Sequence, residues 1–164
     1  MTTALLVIDV QNEYFANANG AFPQENAEAA TTNIIERIKK AEADGQLVIA
    51  VQHFSPEGFP MFKRGTHGAE LHASVAELLA DKPLVEKMHA DSFLNTNLAE
   101  ILTKHKINSI DICGIMTQNC VTHTAISPAA APYKIRVLGD SCAAPTELIH
   151  QIALIALADR VEVI

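Results

Sequence analysis

Ser109-Ile110-Asp111-Ile112-Cys113-Gly114-Ile115-Met116-Thr117-Gln118-Asn119-Cys120-Val121 decides how the chain folds. The apolar stretch Ile107 to Gly114 predicts a buried strand. Gly114 permits a sharp turn, and Thr117 is the expected N-cap of the helix that follows. That places Cys120 in the first turn of the helix, at the carboxyl end of a strand. In a parallel sheet such ends open onto one crevice. There the helix dipole and unpaired backbone N–H groups are expected to favour the thiolate over the thiol. Cys113 falls within the strand and reads as core, and Cys142 as a structural loop residue.

Outward from this stretch, strands and helices alternate. Strands are predicted at Ala4 to Val10, Gln46 to Gln52, Leu84 to Glu86, Tyr133 to Leu138 and Val161 to Ile164. Ile34, Ile35, Ile38 and Ala41 mark a helix within Glu25 to Asp44, stopped by Gly45. Ser74, with Glu77 three residues on, reads as a capping box. Asn95 or Thr96 opens a helix reaching His105, and Pro145 or Thr146 opens another to Ala158. Pro128 and Pro132 end the helix after Cys120 early. Phe54 to His72, with three glycines and two prolines, is a long loop of the kind that often carries function. The alternation predicts α/β, a three-layer αβα sandwich on a six-stranded, mostly parallel, Rossmann-like sheet. One domain, residues 1–164, accounts for the whole length.

Composition narrows the function. Net charge is −7 with no basic cluster, which argues against nucleic-acid binding. No apolar run approaches the ~20 residues of a membrane span. The apolar N-terminus has no basic residues before it and is interrupted by Asp9, so it reads as a strand and not a leader. Three cysteines without framework spacing fit a reducing, cytoplasmic setting. No glycine-rich phosphate loop is present, and no cofactor is expected.

Two charged residues close apolar strands: Asp9 after Ala4 to Ile8, and Lys87 after Leu84-Val85. Each alone reads as a structural carboxylate or a surface lysine. Together with Cys120 they form a coherent set for covalent catalysis, with Lys87 favouring the thiolate and Asp9 moving the proton. His123, three residues after Cys120, is a weaker partner because it lies further along the helix. His53, His67 and His72 fall on or near the long loop. Their spacing does not single out a metal site, and none is expected.

Three blocks bear a family resemblance: Leu5-Leu6-Val7-Ile8-Asp9-Val10-Gln11-Asn12-Glu13-Tyr14-Phe15, Val85-Glu86-Lys87 with Ser92-Phe93, and Cys113 to Val121. Gln52-His53 and Gly65 to His72 match connecting stretches. In this order they resemble the isochorismatase-like cysteine hydrolases, the superfamily of nicotinamidases and N-carbamoylsarcosine amidase. The resemblance implies a Cys120–Asp9–Lys87 triad and a cis peptide between Ile115 and Met116. It also implies an oxyanion hole built from the N–H groups of Met116 and Cys120, and a homodimer or homotetramer. Nicotinamidases carry a metal-holding aspartate two positions before the equivalent of His53, where this chain has Val51. The expected activity is therefore metal-free cleavage of a C–N bond in a small amide or carbamoyl compound, through a thioester. The alternatives are isochorismatase-type vinyl-ether hydrolysis, or a redox-responsive or ligand-binding protein on the same scaffold. Phe15, Gln52, Phe59, Phe62 and Phe93 are the expected pocket residues.

Overall fold

A computed structural model describes all 164 residues. Six strands form one parallel sheet: β1 (Thr3–Ile8), β2 (Leu47–His53), β3 (Leu84–Lys87), β4 (Ser109–Ile115), β5 (Lys134–Ala143) and β6 (Glu162–Val163). Their spatial order is β3-β2-β1-β4-β5-β6. The chain winds outward in one direction from β1 and then in the other from β4. The seam between β1 and β4 is thus the switch point where crevices form in such sheets.

Five helices cover the two faces: α1 (Ala27–Ala43), α2 (Ala73–Leu79), α3 (Leu98–Lys104), α4 (Thr122–Ala125) and α5 (Glu147–Ala158). Alternate residues of each strand serve opposite cores. Leu5 and Val7 meet Ile34 and Ile38 of α1 and Val75 and Leu79 of α2. Ala4, Leu6 and Ile8 meet Leu98 and Leu102 of α3, Val121, and Leu157 of α5. Sheets buried on both faces need the near-continuous apolar strands seen in the sequence.

Register brings the strand ends together. Ile8 pairs with both Val51 and Gly114, and His53 pairs with Lys87. Asp9, His53, Lys87 and Ile115 therefore finish neighbouring strands at one edge of the sheet. Gly114 sits at φ +125°, and a Cβ there would run into the carbonyl of Ile8. Only glycine lets β4 turn this close to β1.

Several expected helix starts shift. Ser74 lies inside α2, which begins at Ala73. Its N-cap is His72, whose ring accepts the Ser74 N–H at 3.4 Å. The Ser74–Glu77 capping box is therefore not made. α3 starts at Leu98, and Thr96 Oγ1 accepts the Leu98 N–H at 3.3 Å. β5 runs five residues past Leu138, because a register shift between Ile112 and Gly114 of β4 absorbs the extra length. Thr146 caps α5 by accepting the Ile149 N–H at 3.2 Å. No helix is long and apolar enough to cross a membrane.

Candidate active site

β3 is not a neighbour of β1. It lies two strands away, about 9.6 Å at ordinary strand spacing. A long side chain can cross the intervening end of β2, and Lys87 does. Its Nζ stands 2.7 Å from Asp9 Oδ2 and donates to Cys120 Sγ at 3.3 Å. It also donates to the His89 carbonyl at 3.0 Å, and His53 Nδ1 lies 3.3 Å away. The side chains of Asp9 and Lys87 are wholly buried, and Cys120 is only 3% exposed. The structure thus gathers Asp9, Lys87 and Cys120 into one sealed cluster.

Asp9 adopts a left-handed backbone at φ 52°, which turns the chain out of β1 while its N–H still bonds the Val51 carbonyl at 3.0 Å. Aspartate tolerates this conformation better than most residues. The peptide bond between Ile115 and Met116 is cis. Beyond it, Thr117–Val121 forms a single wide helical turn of π type that runs into the four-residue α4. Thr117 does not cap it. Its hydroxyl lies 2.8 Å from Nδ1 of His150 on α5, tying the cysteine turn to that helix.

These details reverse one expectation. Cys120 is not poised as a thiolate. Burial, and then the negative charge of Asp9, push its pKa up to about 12, against the opposing pull of Lys87. The helix beyond it is too short to carry a strong dipole. Burial works against the Lys87 ammonium, but Asp9 and Cys120 more than offset it and hold its pKa above the usual range. The resting site therefore contains a thiol between an ammonium and a carboxylate. Such a sulfur becomes nucleophilic only as its proton leaves. Alkylation of Cys120 by iodoacetamide should rise about tenfold per pH unit between about pH 7 and pH 10. A rate that levelled off below about pH 8 would indicate a standing thiolate instead.

The expected pocket residues divide. Phe15 is fully buried beneath α1, its ring stacked 3.9 Å from that of His72. Phe93 belongs to the opposite core and stacks on Tyr133. Both fill core volume in a chain with few aromatic residues. Phe62 is buried with its ring edge-on to His53, 5.4 Å between centroids, so it adjoins the cluster. Phe59 is half exposed on the 54–66 loop. Gln52 uses its amide to hold the Ala69 carbonyl at 2.7 Å.

Two further residues of the opening block reach the site. Gln11 is fully buried. It accepts the His53 N–H at 2.8 Å and donates to the carbonyls of His53 and Ala69 at 2.9 and 2.7 Å. It thereby pins the long loop across the ends of β1 and β2. Tyr14 is buried against Phe62, centroids 4.9 Å apart. Burial, then the negative charges of Cys120 once it ionises, Asp9 and Glu13, push its hydroxyl pKa well above the ordinary tyrosine value. It remains a neutral donor beside the cluster. A polar amide and an aromatic hydroxyl directly after a strand-ending aspartate were the available signal.

The histidines do not converge. His67 and His72 bond to Ala18 and Asn17 respectively, while His123 is exposed with Nδ1 2.9 Å from the Asn119 carbonyl. His53 has its pKa lowered by burial and then by Lys87. Val51 is wholly buried in the apolar core and offers no donor beside His53. No three His, Cys, Asp or Glu side chains come together as a metal site. These residues do not fit a metal held in the nicotinamidase manner.

The uncharacterized isochorismatase family protein YddQ of Bacillus subtilis is 35% identical over 89% of this chain and 80% of its own. The nicotinamidase of Escherichia coli is 25% identical over 85% of this chain and 82% of its own. A crystal structure of a putative isochorismatase hydrolase from Oleispira antarctica superposes with a TM-score of 0.91 at 32% identity, covering 99% of this chain and 92% of that one. The isochorismatase domain profile matches residues 3–164. The chain belongs to the isochorismatase domain family.

Proposed function

We propose that the protein is a cysteine-dependent amidohydrolase acting on a small amide or carbamoyl compound. The observation that carries this reading is the buried Lys87 ammonium, which reaches both Cys120 Sγ at 3.3 Å and Asp9 Oδ2 at 2.7 Å. Cys120 attacks the substrate carbonyl, forming the S–C bond while the thiol proton passes to Asp9. The N–H groups of Met116 and Cys120 receive the oxyanion. Collapse breaks the C–N bond, and Asp9 returns the proton to the departing amine. Water then attacks the thioester with Asp9 as base, releasing the acid and restoring the thiol. Lys87 keeps its charge throughout. It holds Asp9 in place and offsets the negative charge that builds on sulfur and oxygen.

A vinyl-ether hydrolase has no use for a nucleophilic sulfur. Incubation with a panel of small amides and carbamoyl compounds, followed by rapid acid quench and mass spectrometry, tests the reading. The expected result is an acyl adduct on Cys120 for at least one compound that is also turned over. Oxidation of Cys120 to sulfenic acid with no adduct across the panel would favour the redox alternative.

A further inference from the structure

Two neutral hydrogen-bond donors beside the cluster have no partner within the chain. Tyr14 is only 3% exposed, yet its hydroxyl bonds to no protein atom. Buried tyrosine hydroxyls ordinarily find an acceptor. His53 supplies the second donor. Its Nδ1 faces the Lys87 ammonium at 3.3 Å. An ammonium has only protons to offer, so Nδ1 must present its lone pair. Burial and the Lys87 charge both oppose a second ring proton. The single proton therefore sits on Nε2, and that N–H is likewise without a protein acceptor.

Both rings rest on Phe62, with centroids 4.9 Å away for Tyr14 and 5.4 Å for His53. Gln11 fixes the two together. Its carbonyl accepts the Tyr14 N–H at 3.0 Å. Its side chain brackets the His53 backbone, accepting the N–H at 2.8 Å and donating to the carbonyl at 2.9 Å. One buried residue thus sets where both donors stand, and donors held in advance lose little freedom when a ligand meets them.

We infer that Tyr14 Oη and His53 Nε2 form a donor subsite that selects neutral amides carrying a second hydrogen-bond acceptor, a carbonyl oxygen or a bare ring nitrogen, apart from the scissile group. This rests on the amidohydrolase reading and narrows its substrate class. A hydrocarbon group at this point would leave both donors unpaired. A group rich in N–H would meet the Nε2–H, which can only donate. Asp9 and Lys87 already offset each other at 2.7 Å, so a charged substrate would be buried there without a counter-ion.

Amide pairs with the same heavy-atom skeleton test the inference: acetoacetamide against isovaleramide, and pyrimidine-5-carboxamide against benzamide. Isothermal titration is carried out on Cys120→Ala, where the covalent route is closed. The acceptor-bearing member of at least one pair should bind about tenfold more tightly or better. Adding Tyr14→Phe should remove about fivefold or more of that preference while leaving the hydrocarbon member's affinity unchanged. Independently of any ligand, heteronuclear NMR of the wild type near neutral pH should show the His53 proton on Nε2 and Nδ1 bare. The inference fails if the two members of each pair bind alike, or if neither binds. It fails equally if Tyr14→Phe keeps the full preference, or if the ring proton is on Nδ1. Failure of the amidohydrolase reading looks different: the binding preference would persist, but the wild type would form no acyl adduct on Cys120 with the amides it binds.

Discussion

Replacing Cys120 with alanine should lower kcat/KM for any amide substrate by about ten-thousand-fold or more, because the covalent route closes entirely. Any residual turnover would come from binding and oxyanion contacts alone. Stability should change by no more than about 1–2 kcal/mol, since a small, buried sulfur is lost from a well-packed site. The two readouts together separate loss of the nucleophile from loss of the fold. Cys120→Ser is the sharper control. Its hydroxyl keeps nearly the same shape but holds its proton far more tightly than the thiol, which itself titrates at about 12. Acylation should therefore fall nearly as far as in the alanine variant. The measurement is single-turnover kinetics with the best compound from the amide panel, read alongside urea unfolding. Full-rate turnover by Cys120→Ala would remove the sulfur from the mechanism.

The strands were legible because each is a short apolar run ended by a turn residue, and that pattern is local. That the sheet is parallel, with its carboxyl ends opening on one crevice where Asp9 and Lys87 could meet, followed from alternation of strands with helices, whereas the order of the strands is a tertiary fact that alternation leaves open. Details that depend on tertiary contact were not legible. Ser74 reads as a cap until the loop brings His72 to its N–H. Thr117 reads as a cap until α5 brings His150 to its hydroxyl. The protonation of Cys120 is set in the same way. The position of a cysteine in a turn is written locally, but its depth below the surface is set by every element that covers it. Burial at that depth outweighs one ammonium. Phe15, which lies on the face of the sheet away from Cys120, illustrates the converse. An aromatic residue beside a motif carries no mark of which side of the sheet it faces.

Removing one member of the buried ion pair should cost more than removing both. Lys87→Met leaves the Asp9 carboxylate without its cation in a site closed to water, and should destabilise the protein by about 3–5 kcal/mol. Asp9→Asn leaves the ammonium with only Cys120, His53 and the His89 carbonyl around it, a loss of the same order. Asparagine is the right replacement because position 9 has a positive φ of 52°, which asparagine tolerates and branched or bulky apolar residues do not. The double variant Asp9→Asn/Lys87→Met buries no charge, and its stability should return to within about 1–2 kcal/mol of wild type. Urea unfolding of the four proteins gives the coupling directly. Activity should not follow stability. All three variants should lose at least about 100-fold in kcat/KM, because each lacks either the proton carrier or the cation that holds it. A double variant as stable as wild type yet catalytically dead would show that the pair is kept for chemistry and not for holding the fold together. If Lys87→Met unfolded no more easily than wild type, the carboxylate would have to be reaching water, and a proton shuttle enclosed with the sulfur would no longer describe the site.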